Sequence, residues 1–216
     1  MPALGMESQR LTECVDAVKQ RKLRGVFGSA RFFEGDNLDF LEQLPDTEMV
    51  EFWDTPLKDV SALYGLKKLR FLRLSCKRPA MDYSQLAPLT HLVLDHNKRD
   101  KKLEAQHNIE CLNVWRFNST TGDMQLLHLP KSLQELGIFL FNGTSLAEMT
   151  ELDRLKKLTI ERCRNLESIE SLSESCPGLE HLAIIDCPRV TQEAAEQLAG
   201  NLVNIDHLFA ANTKIR

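Results

Sequence analysis

The sequence predicts an α/β solenoid, with a curved parallel β-sheet on its concave face and helices or helical turns on its convex face. Three observations predict it. First, one hexad recurs: apolar, two variable residues, apolar, one variable, apolar. Its clearest copies are 69–74 (LRFLRL), 89–94 (LTHLVL), 109–114 (IECLNV), 133–138 (LQELGI), 155–160 (LKKLTI) and 179–184 (LEHLAI). Weaker copies begin at Leu23, Thr47 and Ile205. Second, the spacing is regular. The fourth hexad residue falls at Val26, Val50, Leu72, Leu92, Leu112, Leu136, Leu158, Leu182 and Leu208, in steps of 20 (Leu72 to Leu92) to 26 (Leu182 to Leu208) residues. Such periods mark solenoids. Third, the apolar spacing changes between hexads to about three, as at Leu57, Val60, Leu63 and Leu66, or Leu166, Ile169 and Leu172.

Each element follows from this pattern. Within a hexad, the fourth and sixth residues alternate with variable ones, as a short strand with one buried face requires. The spacing of three between hexads is that of a helical turn. A unit of strand, turn and helical return cannot bury its apolar face alone, so the units must stack. A stack needs a cap. Residues 1–22 are therefore expected to form an N-terminal capping helix, centred on 8–22, with Leu11, Cys14, Val15 and Val18 on one face and Thr12 as its N-cap. Residues 23–216 are expected to hold about nine irregular repeats. At the far end, Ala210 replaces a large core residue, and the last strand is either an uncovered edge or covered by a short tail. Two segments break the rhythm. The charge run 95–102 (DHNKRDKK) is expected to be a solvated loop, and Ser119-Thr120-Thr121-Gly122 a turn.

The segment from Cys176-Pro177-Gly178-Leu179 to Asp186-Cys187-Pro188-Arg189-Val190-Thr191 resembles the cysteine-containing subtype of the leucine-rich repeat family. The resemblance extends over roughly residues 23–216. It implies that Cys187, Cys163 and Asn97 line a ladder that bonds backbone groups in the turns. Thr55, Lys77, Phe117 and Phe141 hold the same place and depart from the pattern.

Composition narrows the function. The 216 residues include 27 basic and 31 acidic ones, a net charge of −4, which disfavours duplex nucleic acid as a partner. No apolar run of signal-peptide or membrane-span length occurs, so a cytoplasmic protein without a membrane partner is expected. Six cysteines without a C-x-x-C pair suggest free thiols. No G-x-S-x-G, G-x-x-x-x-G-K-[ST] or H-E-x-x-H motif is present, so no catalytic residue, cofactor or metal site is assigned.

Chemistry concentrates instead in the columns expected to face the concave side. These give partner-binding candidates Glu51, Trp53, Phe71, Arg73, Asp95, His96, Trp115, Arg116, Phe139 and Arg162. Both tryptophans of the chain fall in one column, with phenylalanines and arginines nearby, and Trp and Arg are the residue types of binding hot spots. Mixed charge suits a protein partner. The reading is a non-catalytic protein-binding module, a monomer unless a terminal edge strand pairs two copies. Three alternatives stand beside it: an antidote that neutralises a toxin or effector enzyme, a ubiquitin-ligase-type substrate adaptor, and a hydrolase with an unrecognised site. The adaptor is disfavoured because about 22 residues precede the first repeat, too few for an F-box-like helical domain.

Overall fold

The fourth and sixth side chains of a hexad can leave water only beneath the same residues of a neighbouring repeat, and that requirement turns every hexad into a strand. The computed structural model describes residues 1–118, 128–147, 149, 151–211 and 213–215. They fall into two units, Met1–Asn108 and Ile109–Arg216. The first holds β1 (Ala3–Gly5), helix α1 (Leu11–Gln20), β2 (Gly25–Ser29), β3 (Met49–Trp53), β4 (Phe71–Ser75) and β5 (His91–Asp95). The second holds β6 (Cys111–Trp115), β7 (Glu135–Phe139), β8 (Lys157–Glu161), α2 (Leu172–Ser175), β9 (His181–Ile185), α3 (Gln192–Asn201), β10 (His207–Ala210) and β11 (Thr213–Lys214).

Within each unit consecutive strands pair in parallel, apart from β11. The register matches hexad to hexad: Val26 faces Val50, Val50 faces Leu72 and Leu72 faces Leu92. In the second unit Leu112 faces Leu136, then Leu158, Leu182 and Leu208 follow in turn. A slip of one residue would expose every one of these side chains. All of them are buried, as are the sixth-position partners Phe52, Leu74, Val114, Ile138, Ile160 and Ile184. Among the described residues, four of the returns between strands are single 3-10 turns, such as Ser61–Gly65 and Leu103–Ala105. Parallel strands joined by helical returns make the fold α/β, as expected.

The N-terminal end differs from expectation, and the far end takes the second of its two expected forms. Residues 3–5 form a strand rather than part of a cap helix, and β1 extends the sheet by pairing with β2 (Leu4 opposite Val26). A 3-10 turn, Ser8–Arg10, precedes α1, so Arg10 holds the N-cap position and Thr12 lies inside the first turn. Val15 and Val18 are buried, while Leu11 and Cys14 are only half-buried. At the other end β11 pairs antiparallel with β10 and covers its edge, and Ile215 N donates to Leu208 O at 2.8 Å. The expected turn at 119–122 lies outside the described residues.

The turns after the strands carry the irregularity. Cys163 and Cys187 are buried and donate to carbonyls of their own and the preceding repeat: Cys163 Sγ to Glu161 O (3.5 Å) and Ile138 O (3.9 Å), Cys187 Sγ to Ile185 O (3.3 Å) and Ile160 O (3.8 Å). Asn97 Nδ2 donates to Arg78 O at 3.3 Å. Phe117 and Phe141 fill the same place without a polar group. Their buried rings stack with centroids 5.3 Å apart. Lys77 points outward, and the neighbouring Arg78 is buried instead. The charge run 95–102 is therefore not wholly a solvated loop. Asp100 turns inward and binds Arg78 through both oxygens, at 2.6 and 2.8 Å.

Helix α3 has a side-chain cap: Thr191 Oγ1 accepts from Ala194 N at 3.1 Å. Thr191→Ala is expected to lower stability by about 1 kcal/mol, read as a shift of the urea midpoint. An unchanged midpoint would show that water replaces the cap at no cost.

Candidate functional site

Strand alternation sends the third, fifth and seventh residues of each repeat to the open face of the sheet, opposite the core. The two units each carry a patch of such residues. In the first, β3 supplies Glu51 and Trp53, and β4 supplies Phe71 and Arg73. Trp53 is half-buried and stacks on Phe27 of β2, with centroids 6.0 Å apart and planes 12° apart. Phe32 meets Phe27 edge-on at 6.1 Å. The Arg73 guanidinium carbon lies 5.7 Å from the centre of the Trp53 ring, within cation–π range. Arg73 also faces Glu51 across the strands, at a loose 3.9 Å. One place further along, Phe71 stacks on His91 at 6.0 Å. The seventh-position neighbours of Trp53 are Ser29 and Ser75. Their hydroxyls and Arg73 Nε are buried without a hydrogen-bond partner among the described residues.

Asp95 closes β5 and His96 follows it, both half-buried. Burial pushes His96 below the ordinary histidine range, outweighing the opposing pull of Asp100, so it favours the neutral ring.

In the second unit, Trp115 of β6 lies opposite Phe139 of β7, and the rings stack closely at 4.2 Å and 10°. Gly137 makes this possible. A side chain there would run into Asn113 and the Phe139 ring. Arg116 and Arg162 do not lie on the strand face itself. Each follows a strand with φ of 56° and 57°, and each is exposed at the rim. Arg162 contacts Glu161 at 3.3 Å and Asp186 at 3.8 Å.

The thiols offer little chemistry. Burial pushes Cys176 up to about 12 and Cys76 up to about 11. The hydrogen bond that Cys163 shares with Cys187, together with burial, pushes the Cys163 thiol up. The same bond holds the Cys187 thiol below its ordinary value, but that thiol is buried, and a nucleophilic cysteine needs access as well. Among the described residues no group of three or more His, Cys, Asp or Glu side chains could hold a metal ion. Nor is any helix among them long and apolar enough to cross a membrane.

The columns of the sequence thus locate the half-exposed aromatic residues. They miss Phe32, which reaches the patch from the turn after β2.

Residues 81–187 match the sequence model of a family described as R13L1/DRL21 LRRs. No curated protein matches the sequence. Among solved structures the chain is similar to an internalin of Listeria monocytogenes, with 15% identity and a TM-score of 0.45 over 94% of this chain. It spans 59% of that protein's chain. By its hexad repeat, the register of its strands and the match over 81–187, the chain is a leucine-rich repeat protein.

Proposed function

We propose that the chain is a non-catalytic protein-binding module that holds its partner on the open face of the strands. The leucine-rich repeat fold is typical of such modules. The observation that carries the reading is the cluster of Phe27, Trp53 and Arg73: stacked, half-exposed and set on strands whose other face is rigid core. Water-facing aromatic platforms cost solubility, and Trp and Arg are enriched where binding energy concentrates. Stacking also holds the rings in place before a partner arrives, which lowers the entropy lost on binding. The charges on the open face of each unit are mixed, Glu51 with Arg73 in the first and Glu135 with Lys157 in the second, which suits a protein surface better than a polyanion.

The test is affinity capture from native lysate by the wild-type chain, by Trp53→Ala and by Trp115→Ala, with each variant's melting curve checked. The expected result is one protein bound saturably by wild type and held about tenfold or more weakly by a folded variant, the effect of losing one hot-spot residue. Undiminished binding by the Trp53→Ala/Trp115→Ala double variant would overturn the reading.

A further inference from the structure

We infer that a hollow on the open face of the second unit takes an apolar side chain flanked by carboxylates, presented by an acidic peptide segment of the partner. The inference rests on the binding role proposed above and names the chemistry of one contact. The hollow has a volume of about 350 Å³ and spans β8 to β11. Its floor follows from residue size. At the fifth repeat position the first unit holds Glu51 and Arg73, but β8 and β9 hold Thr159 and Ala183, which stand opposite one another. Phe209, opposite Ala183 on β10 and 37% exposed, forms the wall. The space is one large side chain deep and apolar at its base, the usual form of an anchor pocket.

The rim is where a ligand would be selected. Lys157, His181 and His207 stand in one row across β8, β9 and β10, and Lys214 of β11 is paired with Phe209. The two imidazoles stack at 5.0 Å with planes 13° apart. All four side chains belong to exposed residues, and two of the four are lysines. Carboxylates stand nearby as well: Glu135 lies 3.7 Å from Lys157, Glu161, one row outward, is held by Arg162 at 3.3 Å, and Glu180, just before His181, is held by Lys156 at 2.6 Å. Among the described residues none of these three pairs with an imidazole or with Lys214. An apolar base inside a cationic and imidazole rim complements an aromatic or branched side chain with acidic neighbours. A metal ion fits less well, because two lysines share the rim.

The probe is a fluorescein-labelled peptide of alternating glutamate and phenylalanine. Its controls replace glutamate by glutamine, or phenylalanine by glycine. Fluorescence anisotropy is read on the full chain. Wild type is expected to bind the probe about tenfold or more tightly than either control, the scale of one lost anchor or charge pair. Ala183→Leu, which fills the hollow, and Lys157→Glu/Lys214→Glu, which reverses the rim without touching the core, are each expected to abolish that preference. Lys58→Glu/Lys67→Glu, two exposed residues of the return segment in the other unit, carries the same charge change and is expected to leave it unchanged. Equal binding of the probe and the glutamine control, or a preference that survives the lysine reversal, would overturn the inference. If Ala183→Leu fails to fold, the rim-lysine variant decides. A partner lost by Trp53→Ala but held normally by the rim-lysine variant would refute this contact while leaving the binding module standing.

Discussion

Asp100→Ala is expected to destabilise the first unit by roughly 3–5 kcal/mol, the cost of stranding a buried charge. The Arg78 side chain is 1% exposed and that of Asp100 13%. Burial alone would pull Arg78 down, but the hydrogen bonds and charge of Asp100 outweigh it and the guanidinium is raised, so it stays protonated. Asp100 is saturated as well: Tyr83 Oη donates to it at 3.0 Å and Met81 N at 2.9 Å. Removing the carboxylate therefore leaves a charged guanidinium, a phenol and a backbone amide without their acceptor. Asp100→Asn keeps an acceptor but not the charge, and should fall between wild type and alanine. Arg78→Met/Asp100→Leu removes both charges and should recover most of the loss, because an apolar pair of similar volume often equals a buried ion pair. The check is urea unfolding followed by Trp53 fluorescence in a Trp115→Phe background, so that one unit reports. A loss below about 1 kcal/mol for Asp100→Ala would mean that water reaches Arg78 and the pair is not buried in solution.

The second large effect is expected in the other unit. Phe141→Ala should cost about 3–5 kcal/mol, the range for deleting a buried phenyl ring. Phe141 is 2% exposed and Phe117 fully buried. They occupy the turn position where Cys163, Cys187 and Asn97 carry a hydrogen-bonding side chain, so in these two turns packed rings stand in for that bond, beside the backbone bonds from Arg116 N and Leu140 N. Phe117→Ala should cost a similar amount. The double replacement should cost less than the two together, because each ring is the other's wall. Trp115 fluorescence in a Trp53→Phe background reads the transition. Full additivity would show that the rings pack independently.

These two sites also show what the sequence could and could not convey. Strand positions were legible because burial of Leu72 and Leu74 depends on local alternation, and the repeat confirms each copy against the next. The cysteine ladder was legible because Cys163 and Cys187 follow their hexads at one fixed distance. The Arg78–Asp100 pair was not. Arg78 follows Lys77 in what looks like a surface turn, and Asp100 sits among lysines, so only the stacking of two repeats reveals their meeting. Nor was the backbone after the strands legible. Asp54, Arg116, Leu140, Arg162 and Asp186 all take positive φ, a region where glycine would be the usual signal. The stack imposes it. The amides of Asp54, Arg116, Leu140 and Arg162 donate to the following strand at 2.8–3.0 Å, which offsets about 1 kcal/mol of strain at each. Of the candidate site, the residue columns were readable but the orientation of side chains was not. Trp53 and Trp115 gave no sign of whether they entered the core, and their stacking on Phe27 and Phe139 depends on which strand lies alongside.

The most direct test of the proposed binding face compares two surfaces of one unit. With the captured partner in hand, its affinity would be measured by surface plasmon resonance for Trp53→Ala/Arg73→Ala on the strand face. The counterpart is Lys58→Glu/Lys67→Glu in the return segment between β3 and β4, where both lysines are exposed. The account predicts a loss of about 100-fold for the first pair and less than about twofold for the second, since the binding energy would sit in the aromatic platform. Tight binding by the first and loss by the second would contradict it and move the site to the opposite surface.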